Sequence, residues 1–117
     1  MDLSNAIQQH VEWRIKLRNA IQKQDKLDVS IVSCHDCCEL GKWLQGAGKA
    51  QYGTLPSFSE CVSKHTAFHA EAGKVAATIN QQQYAKAEEM LHHDATFSRT
   101  SSAVSVAITR LKLDAGI

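Results

Sequence analysis

Apolar residues recur along this chain with a period close to 3.6 residues, the spacing of one face of an α-helix. The first such stretch runs from about Leu3 to Gln24, with Asp2 or Ser4 as the candidate amino-terminal cap. Its apolar positions are Leu3, Ile7, Val11, Ile15 or Leu17, and Ile21. The pattern predicts an amphipathic helix with one face formed by His10, Trp13, Leu17 and Ala20.

The rhythm then breaks over residues 25–33, where β-branched residues alternate with turn-forming Asp and Ser. We expect an irregular connection in this segment. A short helix is predicted from about Asp36 to Gln45, where Gly46 and Gly48 supply a stop. Residues 50–55 should form a turn-rich bridge.

Two long helices are predicted for the rest of the chain. Pro56 suits the first position of a helix over residues 57–80, whose inward stripe reads Phe58, Cys61 or Val62, His65, His69, Ala72, Ala76 and Ile79. A last helix is predicted over residues 83–113, although its Ser and Thr residues lower the helix propensity; they form a solvated surface or a face that packs against another copy.

With no strand alternation and no internal repeat, the pattern predicts an all-α protein. Its architecture should be an antiparallel four-helix bundle, with the helix at residues 36–45 as an additional short element and any metal site in the bundle core.

The bulk composition narrows the class of protein. The 117 residues suit one domain, residues 1–117, and the net charge of +1 provides no basic surface for nucleic acid. No apolar run is long enough to span a bilayer, so membrane insertion is not expected. The amino-terminal residues lack the features of a secretory signal, and we expect a cytoplasmic domain.

Four cysteines are present, Cys34, Cys37, Cys38 and Cys61. We expect thiols, because disulfides are rare in a reducing compartment. Three of the cysteines fall within five residues, a crowding that is awkward for bridging and suits metal or redox chemistry. Cys34 or Cys37 could exchange onto a metal held by Cys38, or form a disulfide with Cys38 once the metal is lost.

Four residues are candidate metal ligands, because three imidazoles and one thiolate complete a tetrahedral zinc shell. His65 and His69, four residues apart, project from one helix face. Cys38 lies near a helix amino terminus, where the helix dipole favours a thiolate. His10 lies on an apolar face, where a lone histidine is more often a hydrogen-bonded core residue.

The remaining histidines and Cys61 are weaker candidates for metal ligands. His35 is a marginal alternative ligand, whereas His92 and His93 carry no motif and are interpreted as surface residues. Cys61 is a weaker candidate because four better ones already fill the shell. Carboxylates or backbone carbonyls should hold the imidazole N–H groups, with Glu12, Asp36 and Glu71 as the candidate carboxylates.

Nearly the whole chain resembles the chemoreceptor zinc-binding domain family, which is usually fused to bacterial chemoreceptors and diguanylate cyclases. The family pattern is His-x-x-aromatic, then Cys-x-apolar-Gly-x-aromatic, then His-x-x-x-His. The matching residues are His10 with Trp13, Cys38 with Leu40, Gly41 and Trp43, and His65 with His69. The resemblance implies that His10, Cys38, His65 and His69 bind Zn²⁺, and it makes a homodimer plausible.

A shell filled by four protein ligands leaves no position for substrate, and no catalytic motif is found, so we do not expect an enzyme. The leading hypothesis is a cytoplasmic sensory domain that controls a chemoreceptor or a diguanylate cyclase, in cis or in trans, through zinc occupancy or redox sensing at Cys38. The alternatives are a zinc buffer or carrier, and an interaction domain in which zinc has a purely structural role. A hemerythrin-like diiron protein fits poorly, because a thiolate ligand does not suit it.

Overall fold

The computed structural model describes residues 1–117 and is entirely helical, which confirms the predicted class. Seven helices follow one another along the chain: α1 (Leu3–Lys23), α2 (Val29–Val32), α3 (Glu39–Gln45), α4 (Ala47–Tyr52), α5 (Pro56–Asn80), α6 (Tyr84–Met90) and α7 (Thr96–Ala115). The long helix α5 packs most extensively against α7, and α1 also packs against α7. No helix combines the length and the apolar character needed to cross a membrane.

Helix α1 occupies nearly the predicted range. The Asp2 side chain accepts a hydrogen bond from the Asn5 amide at 3.0 Å, and Gln24 ends the helix in the left-handed conformation (φ 57°). The predicted face is confirmed at His10, Leu17 and Ala20, which are buried, and Trp13 is partly buried. Of the other apolar positions, Val11 and Ile15 are exposed. The buried face therefore follows Leu3, Ala6, His10, Leu17, Ala20 and Ile21.

The connection after α1 is more ordered than expected. The segment that was predicted to be irregular contains α2, because the Asp28 carboxylate accepts hydrogen bonds from the Ser30 and Ile31 amides and nucleates a single turn. Asn80, at the end of α5, fixes the chain just before α2. Its side chain accepts from the Leu27 amide at 2.8 Å and donates to the Leu27 carbonyl at 2.7 Å.

Two predicted boundaries around α3 are wrong. The helix begins at Glu39 and not near Asp36, because Cys38 has extended backbone angles and takes the cap position. Residues 50–52 of the predicted turn-rich bridge belong to α4, whereas residues 53–55 form the turn before α5. Only Gly46 separates α3 from α4. Gly48, expected to help end α3, lies inside α4. A Cβ atom there would meet the Trp43 ring at 2.7 Å, so glycine lets α4 pack closely on this ring.

The last predicted helix is divided into α6 and α7. The intervening residues 91–95 have backbone carbonyls that accept hydrogen bonds from side chains. Ser98 Oγ donates to the Leu91 carbonyl at 3.3 Å, and the Arg99 guanidinium donates to the Asp94 carbonyl at 2.7 and 3.0 Å. These side chains offer the backbone an alternative to a continuous helix.

Helix α5 forms the centre of the protein. Its predicted inward stripe is confirmed: Phe58, Cys61, His65, His69, Ala72, Ala76 and Ile79 are all buried. Gly73 allows the connection after α2 to approach closely, because a Cβ atom there would lie 2.7 Å from the Ser33 Cβ. The segment between α2 and α3 is thus held against the middle of α5, next to the two histidines.

Candidate metal centre

Four side chains from three parts of the chain converge at one point in the core. They are His10 of α1, Cys38 before α3, and His65 and His69 of α5, and their ligand atoms all lie within 4.8 Å of one another. The three histidines are 1–2% exposed, and Cys38 is half-buried. The structure thus brings together all four candidate ligands found in the sequence.

The spacing of these atoms fits a tetrahedral zinc shell. Zn–N bonds of about 2.0–2.1 Å and a Zn–S bond of about 2.3 Å place nitrogens about 3.3 Å apart and the sulfur about 3.6 Å from each nitrogen. The Nε2 atoms of His10 and His65 are 3.1 Å apart. Cys38 Sγ lies 3.3, 3.7 and 3.9 Å from Nε2 of His65, His69 and His10, respectively.

Backbone carbonyls orient two of the imidazoles. His10 Nδ1 donates to the Ala6 carbonyl at 2.7 Å, and His69 Nδ1 donates to the Val32 carbonyl at 2.9 Å. Each bond places the ring proton on Nδ1 and leaves the Nε2 lone pair directed at the common point, the arrangement that metal-binding histidines require. Because every residue has a backbone carbonyl, nothing in the sequence singles out Ala6 and Val32 for this role.

The candidate carboxylates make other contacts. Glu71 pairs with Lys74 at 2.8 Å, Glu12 accepts from Gln8 at 3.3 Å, and Asp36 lies 3.0 Å from the Cys34 sulfur. None of the three is hydrogen-bonded to a histidine of the cluster. Of the two kinds of partner expected for the imidazole N–H groups, the structure therefore uses the backbone carbonyls.

Burial keeps the histidines uncharged, the form that binds metal. It lowers the pKa of His65 to about 3, and the nearby His69 and His10 reinforce this effect. Burial also lowers the pKa of His10 and of His69, although the Ala6 and Val32 carbonyls oppose the shift. The Phe68 ring packs edge-on against His10 and His69, with centroids 5.3 and 5.4 Å away, and contributes to this apolar environment.

Cys38 has opposing influences on its thiol. As the cap of α3 it accepts a hydrogen bond from the Gly41 amide at 3.4 Å, and such amides favour a thiolate. Burial has the larger effect, however, and the pKa of Cys38 is raised overall. Without a nearby cation, this thiol therefore ionises less readily than its place at a helix terminus predicts.

Gly41 is required by the loop that carries Cys38. A Cβ atom at this position would lie 1.8 Å from the His35 carbonyl oxygen and 2.8 Å from the Asp36 Cα. The glycine permits the preceding loop to fold over the first turn of α3. The Cys-x-Leu-Gly spacing thus joins the candidate ligand to the turn that positions it.

The remaining cysteines and histidines lie outside the converging group. The expectation of thiols is wrong for Cys34 and Cys37, which form a disulfide because the turn between them brings their Cα atoms to 5.5 Å. Cys61 is a fully buried thiol, and burial raises its pKa to about 11. His92 and His93 are exposed, as predicted, and His35 directs no ring nitrogen into the cluster.

The surface cavities are lined by other residues. Four cavities are present, and none is lined by any of the four converging residues.

Comparisons with known proteins agree with this chemistry. Residues 10–76, more than half of the chain, match the chemoreceptor zinc-binding domain family, and this segment contains all four converging residues. No curated protein and no solved structure matches the chain. Zinc is the metal of this family, and three imidazoles with one thiol are suited to it. On the family match and the three-histidine, one-cysteine cluster, the chain belongs to the chemoreceptor zinc-binding domain family.

Proposed function

We propose that His10, Cys38, His65 and His69 bind one Zn²⁺ and that the chain is a regulatory domain of bacterial signal transduction. One observation carries the proposal: four ligand atoms from three separate parts of the chain lie within 4.8 Å of one another, and four of the distances between them, 3.1–3.9 Å, are close to those of a tetrahedral zinc shell. Zinc binding would therefore tie α1, α3 and α5 together, so occupancy would be sensed as a change in helix packing.

The ligand set favours regulation over catalysis. Four protein donors fill a tetrahedral shell, and a catalytic zinc needs an open position for water or substrate. The absence of a lining cavity at the four residues agrees with a closed site. We therefore propose a domain that is not an enzyme and that acts through its conformation.

The response arises from what these residues do with and without the metal. When bound, zinc supplies the positive charge that stabilises the Cys38 thiolate beside three neutral imidazoles. Without that charge, the three imidazoles and the thiol remain crowded in the core, with His10 and His65 Nε2 only 3.1 Å apart. Separation of these groups, or their protonation in acid, would loosen the contacts of α1 and α3 with α5.

Cys38 is also the one oxidisable member of the group. A peroxide that oxidises its sulfur to the sulfenic acid removes the thiolate, and with it one of four attachment points. We propose this as a second input to the same packing change. Both inputs would reach an effector, a chemoreceptor or a diguanylate cyclase in cis or in trans, from a cytoplasmic location.

The wider architecture is proposed on the same basis. The long helices α1, α5 and α7, with the shorter α6 as the fourth, would form an antiparallel four-helix bundle, and the whole chain would be one domain. A homodimer is a further part of this proposal. Light scattering of the zinc-loaded and zinc-free chain would give the number of copies and show whether that number depends on the metal.

The decisive experiment measures zinc stoichiometry by native mass spectrometry and zinc affinity by chelator competition. Cys38→Ser is the test variant, because serine preserves the cap of α3 but lacks the thiolate. We expect one zinc per wild-type chain and an affinity at least tenfold lower in the variant. The matched control is Cys61→Ala, since Cys61 is a buried thiol outside the cluster.

Circular dichroism and tryptophan fluorescence during zinc removal then separate regulation from the alternatives. A change in packing on removal supports the switch. Rapid exchange with no conformational change would favour a zinc buffer or carrier, and unfolding without an effector response would favour a structural staple. Unaltered zinc affinity in Cys38→Ser would overturn the ligand assignment itself.

A further inference from the structure

The segment between α2 and α3, residues 33–38, connects two points of the metal centre. At its start, the Val32 carbonyl holds His69 Nδ1 at 2.9 Å. At its end, Cys38 Sγ approaches the three imidazole nitrogens at 3.3–3.9 Å. Any freedom in this short segment therefore acts on the position of the thiolate relative to the histidines.

The Cys34–Cys37 disulfide closes the middle of this same segment. It joins the side of the turn near Val32 to the residue directly before Cys38. The enclosed residues fold over α3, where the His35 carbonyl fills the space that a side chain at Gly41 would need. The bond thus restrains the part of the loop that presents Cys38, although neither of its sulfurs belongs to the converging group.

The disulfide is also placed for exchange. Cys37 is exposed and Cys34 is half-buried, so a thiol reagent can reach the Cys37 sulfur from solvent. Asp36 Oδ1 lies 3.0 Å from Cys34 Sγ. In the disulfide that sulfur has no proton to share, whereas the reduced thiol would donate a hydrogen bond to the carboxylate. The surroundings therefore accommodate both states.

From these contacts we propose that Cys34 and Cys37 form a reversible redox clasp that sets how tightly the centre holds zinc. The oxidised clasp keeps Cys38 beside the histidines, and the reduced pair lets the loop move and speeds zinc release. The inference rests on the proposed role of Cys38 as a ligand. It adds a control by two cysteines that do not bind the metal.

The proposed reaction is exchange with a protein or small-molecule dithiol. One thiolate of the dithiol attacks Cys37 Sγ, the Cys34–Cys37 bond breaks, and the Cys34 sulfur takes up a proton. The second thiolate of the reductant then attacks the mixed disulfide and releases Cys37, which is protonated in turn. The dithiol is oxidised to its disulfide by two electrons, and the two cysteines are reduced to thiols.

The effect should be moderate, because the clasp closes a short loop. A disulfide stabilises a closed loop mainly by lowering the conformational entropy of the open chain, and this loss of entropy is smallest for short loops. We expect the oxidised chain to release zinc on the order of tenfold more slowly than the reduced chain, in line with the lower end of that effect.

The test measures the rate of zinc transfer from the full chain to a colorimetric chelator, before and after treatment with a dithiol. Intact-mass measurement establishes the state of the pair. The double variant C34S/C37S should release zinc as fast as the reduced wild-type chain, with or without the dithiol. Any difference between its two rates measures a direct action of the dithiol on zinc. Cys61→Ala, which leaves the loop intact, should respond like the wild type.

The outcomes separate this inference from the proposed function. Equal release rates for oxidised and reduced chains, each with one zinc held through Cys38, would overturn the clasp alone. A second zinc bound on reduction would also overturn it, because Cys34, Asp36 and Cys37 would then be a metal site. A chain that binds no zinc, or binds it equally well as Cys38→Ser, would overturn the proposed function and the clasp together.

Discussion

Cys38 combines two roles that impose different demands on the same atom. Its sulfur caps α3 through the Gly41 amide and also faces three imidazole nitrogens. The oxygen of a serine can cap a helix, but it cannot replace a thiolate as a zinc ligand. The cysteine is therefore required by the proposed chemistry, whereas the local fold of α3 would accept serine.

Gly41 lies in the same turn of α3, and here the fold should not accept even a small side chain. Alanine in a helix normally stabilises by about 1 kcal/mol relative to glycine. Here the added Cβ would lie 1.8 Å from the His35 carbonyl oxygen, so the loop must move. We expect Gly41→Ala to destabilise the zinc-loaded chain by about 2 kcal/mol, as overpacking typically does, and to weaken zinc binding by displacing Cys38.

Chemical denaturation and chelator competition would check this result. Lys42→Ala is the matched control, because Lys42 is the exposed neighbour in the same helix and its replacement adds no atom to the interior. A Gly41→Ala variant as stable as that control, with unchanged zinc affinity, would show that the contact with His35 does not position the loop.

At the scale of elements, contacts between residues distant in sequence hold α2 and the segment between α2 and α3 in place. Asn80 holds the Leu27 backbone across 53 residues, and Gly73 admits Ser33 against α5. The short α2 therefore depends on α5 for its place. This arrangement explains how a four-residue helix, too short to be stable alone, can present the Val32 carbonyl to His69.

Asn80→Ala tests this dependence. The substitution leaves the Leu27 N–H and carbonyl without their partner, and an unsatisfied polar group costs about 1–3 kcal/mol when buried. Because Asn80 is only half-buried and water can replace part of the loss, we expect destabilisation of about 1–2 kcal/mol in total. Urea denaturation measures it, and Asn19→Ala, on the exposed face of α1, provides the control. Equal stability of the two variants would contradict the proposed anchoring.

The sequence predicted the elements whose signals are local. Helix α1 has its Asp2 cap and α5 has its proline at the first position and a regular inward stripe, so both were located closely. Residue type and helical spacing marked His65 and His69 as candidate ligands, and the resemblance to the zinc-binding family completed the set with His10 and Cys38. These features can be recognised because each depends on a side chain present at a specific position.

The errors arose where distant or backbone contacts decide the structure. The last helix was predicted as continuous because Ser98 and Arg99 give no sign in sequence that they will bond to the Leu91 and Asp94 carbonyls. The Ala6 and Val32 carbonyls could not be identified for the same reason. The Cys34–Cys37 disulfide was missed because it depends on how the loop turns.

At the scale of the whole molecule, the metal centre concentrates three buried imidazoles at the junction of α1, α3 and α5. Burial lowers the pKa of each one. The folded state therefore holds the rings in their neutral form. At a pH where the histidines of the unfolded chain bind protons, the free energy of unfolding is lower. The stability of the zinc-free chain should therefore depend on pH through this cluster.

Proton linkage determines whether the stability rises or falls with pH. An unfolded histidine has a pKa of 6.5, whereas the pKa of His65 in the fold is about 3. The stabilising contribution is complete above pH 6.5 and is lost progressively as the pH falls toward 3, because only the unfolded chain binds the protons in that interval. We therefore expect zinc-free protein to lose helicity on acidification below about pH 6.

Bound zinc should shift this transition to lower pH, since protons must then compete with the metal for the same nitrogens. Far-UV circular dichroism between pH 8 and pH 3, with and without a chelator, would measure the two midpoints. His93→Gln should leave both midpoints unchanged, because the His93 side chain is 74% exposed and lies outside the cluster. Coincident midpoints for the zinc-loaded and zinc-free chains would mean that the four residues do not couple metal binding to folding, and the packing switch would lose its physical basis.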